Sequence, residues 1–257
     1  MLKHVPETSP AFLKLRGVEV VYSNATVALK PVDIDIEDKQ VTVLLGPSGA
    51  GKSTLLRVLN RLVAPSRGSV SVRDLGELKS KSVVRKHRLR TGMVFQQHQL
   101  IARLTALQNV LLSRIGNYSS IRSLFPLPRS ERFWALECLE RVGLLEKALQ
   151  RCDALSGGQQ QRVGIARAIA QRPDLILADE PVASLDPASS EHVLSALRNI
   201  ARQDGIPAVI SLHQLEYARM FADRIIGLSQ GEVVFDGPPA ELNEAALEKI
   251  YGARPKA

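Results

Sequence analysis

The sequence predicts an α/β protein with a mostly parallel sheet, an antiparallel β subdomain near its N-terminus and a mostly helical subdomain. Three observations support this. Strand-like segments open the chain, short apolar strands alternate with helical segments after residue 158, and helical segments dominate residues 97–165. Strands joined by helices argue for a parallel sheet with right-handed crossovers. The expected organisation is one domain over residues 12–245 (core 12–96 and 166–245, helical subdomain 97–165) and a tail at 246–257.

The first segments are predicted to be strands. Residues 12–22 are rich in β-branched and apolar residues, and residues 32–37 alternate apolar with acidic residues. That alternation is typical of a strand with one solvated face. Residues 41–45 form a short apolar run that ends at Gly46, which is typical of a strand buried on both faces.

A glycine-containing loop and a helix follow this buried strand. Residues 51–63 place leucine and valine at helical spacing, and two further short strands are expected at 68–75 and 93–95. Helical segments are expected next at 105–113 and 129–142, and a stretch containing glycine, asparagine, serine and proline separates them.

The second half of the chain alternates helices with strands. The expected helices are 158–171, 188–202 and 214–222, and the expected strands are 175–178, 207–212, 224–228 and 232–235. A Gln-Gly pair at 230–231 predicts a hairpin between the last two strands.

Composition excludes several classes of protein. The 257 residues are 45% apolar and 23% charged, which is ordinary for a soluble globular domain. No apolar run approaches the roughly 20 residues that cross a bilayer. Residues 1–10 do not resemble a secretory signal, so a cytoplasmic location is expected. Cys138 and Cys152 lack a metal or redox spacing and are expected to be free thiols.

Residues 46–53, Gly-Pro-Ser-Gly-Ala-Gly-Lys-Ser, match the phosphate-binding pattern GxxxxGK[S/T] between a strand and a helix. Glycines allow backbone N–H groups to surround phosphate oxygens, and the helix N-terminus adds a favourable dipole. Lys52 is expected to reach the β- and γ-phosphates, and the Ser53 hydroxyl is expected to hold Mg²⁺. The loop therefore predicts a P-loop NTPase.

Two acids end the apolar strand at 175–178. Because the carboxyl edge of a parallel sheet faces the nucleotide, Asp179 is expected to hold the metal, through its water shell. Glu180 is then placed to polarise the attacking water. These features alone leave kinases, GTPases and many ATPases open.

A second glycine motif separates these classes. Residues 155–162, Leu-Ser-Gly-Gly-Gln-Gln-Gln-Arg, run directly into a helix and present a second set of backbone N–H groups, with Ser156 as a hydroxyl donor. One γ-phosphate can use both sets if two copies face each other head to tail. This stretch resembles the signature of the ATP-binding cassette (ABC) ATPases, and the resemblance extends over residues 12–240. A kinase has no use for it.

The resemblance implies roles for further residues. Tyr22 matches the aromatic that stacks on adenine, and Gln96 matches the glutamine that contacts Mg²⁺ and senses the membrane partner. Asp186, in Ser-Leu-Asp, belongs to a stretch that matches the loop crossing the dimer interface. His213 matches the histidine that holds the γ-phosphate. The implied fold is a RecA-like P-loop core.

The resemblance also implies the cofactors and the mechanism. Two molecules of ATP with Mg²⁺ close a homodimer, and hydrolysis opens it. Glu180, His213 and Lys52 are the expected catalytic residues, and Ser53, Gln96 and Asp179 the expected metal ligands. The expected nucleotide-binding residues are Tyr22, Gly46, Pro47, Ser48, Gly49, Ala50, Gly51, Lys52, Ser53, Thr54, Gln96, Ser156, Gly157, Gly158, Gln159 and Asp186.

Within this family the chain resembles the ATP-binding subunits of phosphonate importers. The residues that carry the resemblance are LSGGQQQRVGIARA at 155–168, ILADEPVASLDP at 176–187, SLHQ at 211–214 and DGPPAEL at 236–242. The insert at 114–134 adds to it, although it is equally compatible with an ordinary surface excursion. The implied partners are separate permease subunits and, indirectly, a periplasmic binding protein. The implied location is the cytoplasmic face of the inner membrane.

Other functions remain open from the sequence. Phosphite or hypophosphite import uses similar cassettes, and import of a polar amino acid is more distant. The net charge of +8 and the basic run at 79–90 also fit a soluble ABC ATPase acting on nucleic acid. No aromatic residues interleave with the basic ones, so a solvated helix face near anionic lipid is favoured and no nucleic-acid partner is expected.

Overall fold

The computed structural model describes residues 11–97, 99–118 and 126–252. Residues 119–125 of the predicted insert, residues 253–257 of the predicted tail and the first ten residues lie outside this description. Among the described residues, no helix combines the length and the apolar character that crossing a bilayer requires.

The described chain folds into strands and helices that alternate along most of its length. The strands are β1 (Leu13–Val21), β2 (Val27–Ile36), β3 (Val41–Leu45), β4 (Arg67–Val72), β5 (Gly76–Glu77), β6 (Thr91–Val94), β7 (Leu175–Ala178), β8 (Ala208–Leu212), β9 (Arg224–Ser229) and β10 (Glu232–Gly237). The α-helices are α1 (Lys52–Leu59), α2 (Lys81–Leu89), α3 (Ala106–Leu112), α4 (Arg129–Arg141), α5 (Gly157–Ala170), α6 (Pro187–Asp204), α7 (Leu215–Phe221) and α8 (Glu244–Tyr251).

Two sheets organise the molecule. The first has the order β2-β1-β4-β5, and its pairs are antiparallel. The second has the order β10-β9-β3-β8-β7-β6, in which β3, β6, β7, β8 and β9 are parallel and β10 pairs with β9 as an antiparallel hairpin. The predicted fold class, a mostly parallel sheet with an antiparallel β subdomain and a helical part, is confirmed.

The strand order of the parallel sheet positions the functional residues. Strand β3 lies between β8 and β9, and β8 lies beside β7, although these strands are far apart in sequence. Their carboxyl ends meet at one edge, where Gly46 follows β3, Asp179 follows β7 and His213 follows β8. Ligands of open α/β sheets bind at this edge.

The parallel sheet is buried on both faces. In β3, Val43 faces the core shared with the helical part, and the neighbouring Leu44 faces the core shared with the first sheet and α1. Both side chains have no exposed surface. Burial on both faces explains why residues 41–45 are apolar apart from the buried Thr42, rather than alternating.

The helices α3, α4 and α5 pack together on one side of the sheet. The Thr105 side chain caps α3, and Gln108 completes a capping box. Trp134 on α4 donates a hydrogen bond to the carbonyl of Ala170 at the end of α5, at 3.0 Å. Cys138 and Cys152 are free and buried here, as expected, and burial raises the pKa of Cys138 to about 12.

Helix α8 covers the end of the sheet that carries the hairpin. Ile250 is fully buried, and a Cβ atom on Gly227 of β9 would lie 2.5 Å from its Cδ1 atom. Residue 245, where the sequence analysis ends the ATPase domain, lies within this helix. The division of the chain into subdomains stays a prediction.

Candidate active site

The loop at 46–51 approaches neighbouring backbone so closely that glycine is required at two positions. A Cβ atom on Gly46 would lie 2.3 Å from the carbonyl oxygen of Leu228. Gly51, at the N-cap of α1, has φ +102°, and a Cβ there would lie 2.7 Å from the carbonyl oxygen of Ala28. The loop is therefore held against β2 and β9, and α1 begins directly after it.

Lys52 is the first residue of α1, and it is 3% exposed. Its Nζ atom donates to the carbonyl oxygens of Gly46 at 2.8 Å and Pro47 at 3.0 Å, and it lies 3.3 Å from Nδ1 of His213. Burial lowers the pKa of Lys52, while the nearby carboxylates of Glu180 and Asp179 oppose that shift. An ammonium group in this position is well placed to receive an anion such as a phosphate.

Ser53 and Asp179 form the second part of the cluster. The Ser53 hydroxyl donates to Oδ1 of Asp179 at 2.8 Å, and the Ser211 hydroxyl donates to the same oxygen at 3.0 Å. Hydroxyl and carboxylate oxygens are the ligands that Mg²⁺ prefers, so Ser53 and Asp179 fit the predicted metal site. Sequence reasoning missed Ser211, whose signal is a polar residue inside the apolar strand β8.

Glu180 lies opposite His213. Oε1 of Glu180 is 2.5 Å from Nε2 of His213. Glu180 has φ +46°, a left-handed conformation that costs a non-glycine residue roughly 1–2 kcal/mol. Its backbone N–H donates to Oγ of Ser211 at 2.8 Å, which holds the strained turn. The strain directs the carboxylate toward the site, a placement typical of functional residues.

Tyr22 stands beside the loop at the end of β1. The residue is 37% exposed, and its hydroxyl lies 3.2 Å from Oγ1 of Thr54 in the first turn of α1. An exposed aromatic face close to a phosphate loop is suited to stacking on a flat base. This arrangement supports the predicted contact with adenine.

Gln96 follows β6 and is exposed. It lines a cavity of about 380 Å³ with Ala102, Gln160 and Ser184, among other residues. Within the described ranges, no direct hydrogen bond joins Gln96 to Ser53 or Asp179. The structure thus places it beside the loop that contains Asp186, and its predicted role in metal binding stays a prediction.

The second glycine motif forms the start of α5. Oγ of Ser156 accepts from the backbone N–H of Gln159 at 3.3 Å, and the Gln159 side chain accepts from the Ser156 N–H at 3.0 Å. A Cβ atom on Gly158 would lie 2.9 Å from Oγ of Ser189, in the first turn of α6. This helix start therefore packs against the start of α6.

Asp186 caps α6 through a hydrogen bond from the Ser189 N–H at 2.9 Å, and hydrogen bonding to Ser189 lowers the pKa of Asp186. In the described part of the chain, no hydrogen bond joins residues 156–159 to residues 46–54. Within one chain the two glycine motifs are therefore not joined by hydrogen bonds, which is compatible with an arrangement of two copies.

The chain is similar to proteins of known function. It is 59% identical to the phosphite import ATP-binding protein PxtA of Stutzerimonas stutzeri, over 95% of this chain and 88% of the relative. It is 56% identical to a phosphonates import ATP-binding protein, PhnC 3, of Nostoc sp., over 93% of this chain and 92% of the relative.

The chain is also similar to solved structures of ATP-binding cassettes. The dimeric post-hydrolysis structure of the ATP-binding cassette MJ0796 bound to ADP and Pi matches with a TM-score of 0.78 and 37% identity, covering 88% of this chain and 98% of that one. The cbiO1 structure from Clostridium perfringens matches with a TM-score of 0.81 and 28% identity, covering 91% of each chain. The ABC transporter family profile matches residues 29–183, more than half of the chain, and the chain therefore belongs to the ABC transporter family.

Proposed function

We propose that this chain is the ATP-hydrolysing subunit of an importer and that its cargo is a phosphonate. The observation that carries the ATPase proposal is the cluster at the edge of the parallel sheet. It brings the buried ammonium of Lys52, the Ser53–Asp179 pair and the Glu180–His213 pair together from three strands. The similarity to import ATP-binding proteins supports the transport role.

The residues divide the chemistry between them. Backbone N–H groups of the loop at 46–51 and the Lys52 ammonium bind the β- and γ-phosphates of ATP. Ser53 and Asp179 would hold Mg²⁺, and the ion would supply charge neutralisation on the phosphate oxygens. Glu180 orients the attacking water and accepts its proton, and His213 contacts the γ-phosphate. Positioning and charge stabilisation account for most of catalysis in this class of reaction.

Glu180→Gln tests the ATPase proposal. The substitution keeps the shape of the side chain and removes the base, so we expect turnover to fall by roughly 10² to 10⁴. ATP binding, measured by fluorescence titration, should be unchanged because Lys52 and the loop are intact. Glu232→Gln, a matched change at an exposed residue on β10, serves as the control. Turnover near that of the unmodified protein in Glu180→Gln would contradict the assignment.

The cargo proposal rests on the relatives, because this subunit is not expected to touch the cargo. We propose that the chain works as a homodimer on the cytoplasmic face of the inner membrane, with separate permease subunits and a periplasmic binding protein that selects the cargo. Phosphite is the second candidate, since a phosphite import protein is 59% identical.

Reconstitution of the complete transporter tests the cargo. The chain, its permease and its binding protein are assembled in vesicles, and ATP hydrolysis is measured with a phosphonate, phosphite, hypophosphite or a polar amino acid present. Stimulation by the phosphonate supports the first candidate, and stimulation by phosphite without phosphonate supports the second. Stimulation of the isolated chain by DNA or RNA, with none by any of these solutes, would contradict both.

A further inference from the structure

A basic pocket lies on the face of the protein formed by the end of α1 and by α2. Its cavity is about 560 Å³, and five cationic side chains line it: Arg61, Lys79, Lys81, Arg85 and Arg88. None of these residues belongs to the proposed nucleotide site. The volume falls within the range of small-molecule pockets, roughly 300–1,000 Å³.

Helical spacing brings the cations of α2 to one side. Ser80 caps the helix, and residues 81, 85 and 88 follow at intervals of four and three, so they share a face. The His87 side chain does not line the pocket. It is buried against α1, where its Nε2 atom lies 2.8 Å from the carbonyl oxygen of Leu59. This contact fixes the rotation of α2 and directs the cationic face toward the pocket.

The positive charges of the pocket are poorly compensated. Lys79 pairs with Glu77 at 2.8 Å. In residues 11–97, 99–118 and 126–252, no ion pair is formed by Arg61, Lys81, Arg85 or Arg88. The neighbouring acids Asp74 and Asp174 pair with Arg90, which does not line the pocket. Like charges gathered at a concave surface raise the local potential and attract anions.

Arg61 and Arg88 are held in place before any ligand binds. Nε of Arg61 donates to the carbonyl oxygen of Leu78 at 2.9 Å, and Nε of Arg88 donates to that of Asn60 at 3.3 Å. Nη2 of Arg88 also donates to the carbonyl oxygen of Arg61. Positioned guanidinium groups lose less conformational entropy on binding, and their planar shape matches phosphate oxygens.

Arg61 also has two features that a merely solvated side chain does not explain. Its backbone has φ +53°, where a helix end normally carries glycine. Its Nη1 atom is buried, and the described residues provide no acceptor for it. The described residues therefore leave part of the positive charge of this guanidinium uncompensated beside the pocket.

We propose that this basic pocket binds a phosphate group. The pocket has room for a phosphate group, and no aromatic side chain lines it for stacking on a base. Inorganic phosphate and the headgroup of an anionic phospholipid share this chemistry. The site is distinct from the proposed nucleotide site, so it provides a second point at which phosphate or the membrane contacts the protein.

Binding measurements on the full chain test the pocket, with the nucleotide site first saturated with ADP and Mg²⁺. One arm titrates inorganic phosphate by calorimetry. The other measures sedimentation with phosphatidylcholine vesicles, with and without phosphatidylglycerol. The double variant Lys81→Gln/Arg85→Gln should weaken binding by about tenfold or more in whichever measurement detects binding to the unmodified protein. Each of its two substitutions removes a charge-assisted contact. The control, Lys86→Gln/Arg132→Gln, removes the same charge from exposed residues outside the pocket. It should change the binding affinity by about twofold or less.

The two arms also identify the source of the phosphate. Phosphate binding that only the pocket variant loses supports a soluble ligand, and phosphatidylglycerol-dependent sedimentation with the same pattern supports a lipid headgroup. Equal weakening by the two double variants would show unspecific attraction by net charge and would overturn the proposal. Absence of binding in both arms would overturn it as well. ATP hydrolysis by both variants should remain, since neither changes the nucleotide site.

Discussion

Lys52 shows how one residue can serve binding at the expense of stability. Its ammonium is buried between two backbone carbonyl oxygens and His213. Burial lowers its pKa. A lysine whose folded-state pKa is depressed destabilises the folded protein at every pH where it is charged, and this cost disappears as the pH rises above the unfolded-state pKa. Neutral pH lies below the unfolded-state pKa of lysine, so the folded protein bears this cost there.

Lys52→Met should therefore stabilise the nucleotide-free protein and abolish its response to ATP. Methionine fills a similar volume without a charge, so the melting temperature should rise, by roughly 2–4 °C for each 1 kcal/mol gained. MgATP raises the melting temperature of the unmodified protein by mass action, and the variant should lose that rise.

Differential scanning fluorimetry with and without MgATP checks both parts. Lys86→Met, at an exposed residue of α2, is the control and should keep the response to ATP. A Lys52→Met protein that is less stable without nucleotide, or that still responds to MgATP, would contradict this account.

At the scale of elements, α8 reaches the proposed active site. The hydroxyl of Tyr251 donates to the backbone carbonyl of His213 at 3.3 Å, at the end of β8. The segment before α8 is held by Arg219, whose side chain donates to the carbonyl of Leu242 at 2.9 Å. Helix α8 thereby supports the backbone position of His213.

Tyr251→Phe should lower the turnover number for ATP by roughly 2- to 10-fold, the effect of one lost hydrogen bond of about 0.5–1.5 kcal/mol. The KM for ATP should change little, because Tyr251 is not expected to contact the nucleotide. Steady-state ATPase kinetics provide the measurement. Tyr118→Phe, which removes a hydrogen bond to Glu131 away from the site, should leave turnover unchanged. Equal loss of turnover in both variants would indicate general destabilisation rather than support of His213.

A second element-scale contact joins the segment after α3 to α4. Arg114 donates to both carboxylate oxygens of Glu131, at 2.7 and 3.1 Å, and the two side chains are 9% and 10% exposed. The hydrogen bond from Arg114 lowers the pKa of Glu131 below its usual value of 4.5. A lowered carboxyl pKa contributes stability above the unfolded-state pKa, and this contribution disappears as the pH falls through the folded-state pKa.

Glu131→Gln should reduce the free energy of unfolding at pH 7 by about 3 kcal/mol, because it leaves the charge of Arg114 buried without its partner. The difference from the unmodified protein should shrink as the pH falls below the usual glutamate pKa. Urea denaturation at neutral and acidic pH measures both effects. Glu232→Gln breaks an exposed pair with Lys30 and should cost about 1 kcal/mol or less. A Glu131→Gln effect as small as the control, or independent of pH, would contradict this role.

The elements differ in how well the sequence predicts them. The predicted bounds of the strands at 41–45 and 175–178 agree with β3 and β7, because strands buried on both faces are mostly apolar and end at polar or glycine residues. Helix α2 is harder to predict from the spacing of apolar residues. Cations occupy most of its surface, and His87 is its one buried residue. The expected strand at 68–75 is instead β4, Arg67–Val72, followed by a turn and the two-residue β5.

At the scale of the whole molecule, the motifs predict which residues would contact a nucleotide, but contacts across the sheet depend on strand order. The 3.3 Å approach of Lys52 to His213 exists because β8 pairs with β3, and the support of Asp179 by Ser211 exists because β8 pairs with β7. Local patterns do not contain these pairings, since they join residues more than 30 positions apart.

Because no hydrogen bond joins the two glycine motifs within the described part of one chain, we expect ATP to join two copies. In each copy the loop at 46–53 would bind the phosphates, and the start of α5 in the other copy would complete the site. We expect Glu180→Gln to form a stable dimer with MgATP, because binding is retained while the hydrolysis that opens the dimer is slowed. Light scattering after size-exclusion chromatography measures the mass.

A second substitution tests whether the start of α5 makes this contact. Ser156→Asp in the Glu180→Gln background keeps an N-capping side chain but places a negative charge where a γ-phosphate is expected. This double variant should bind ATP and stay monomeric. Ser156→Asn, which also caps helices and is neutral, should dimerise at about the same or moderately higher ATP concentration. If the Ser156→Asp protein dimerises as readily as the Ser156→Asn protein, the start of α5 does not face the triphosphate, and the two-copy arrangement is wrong.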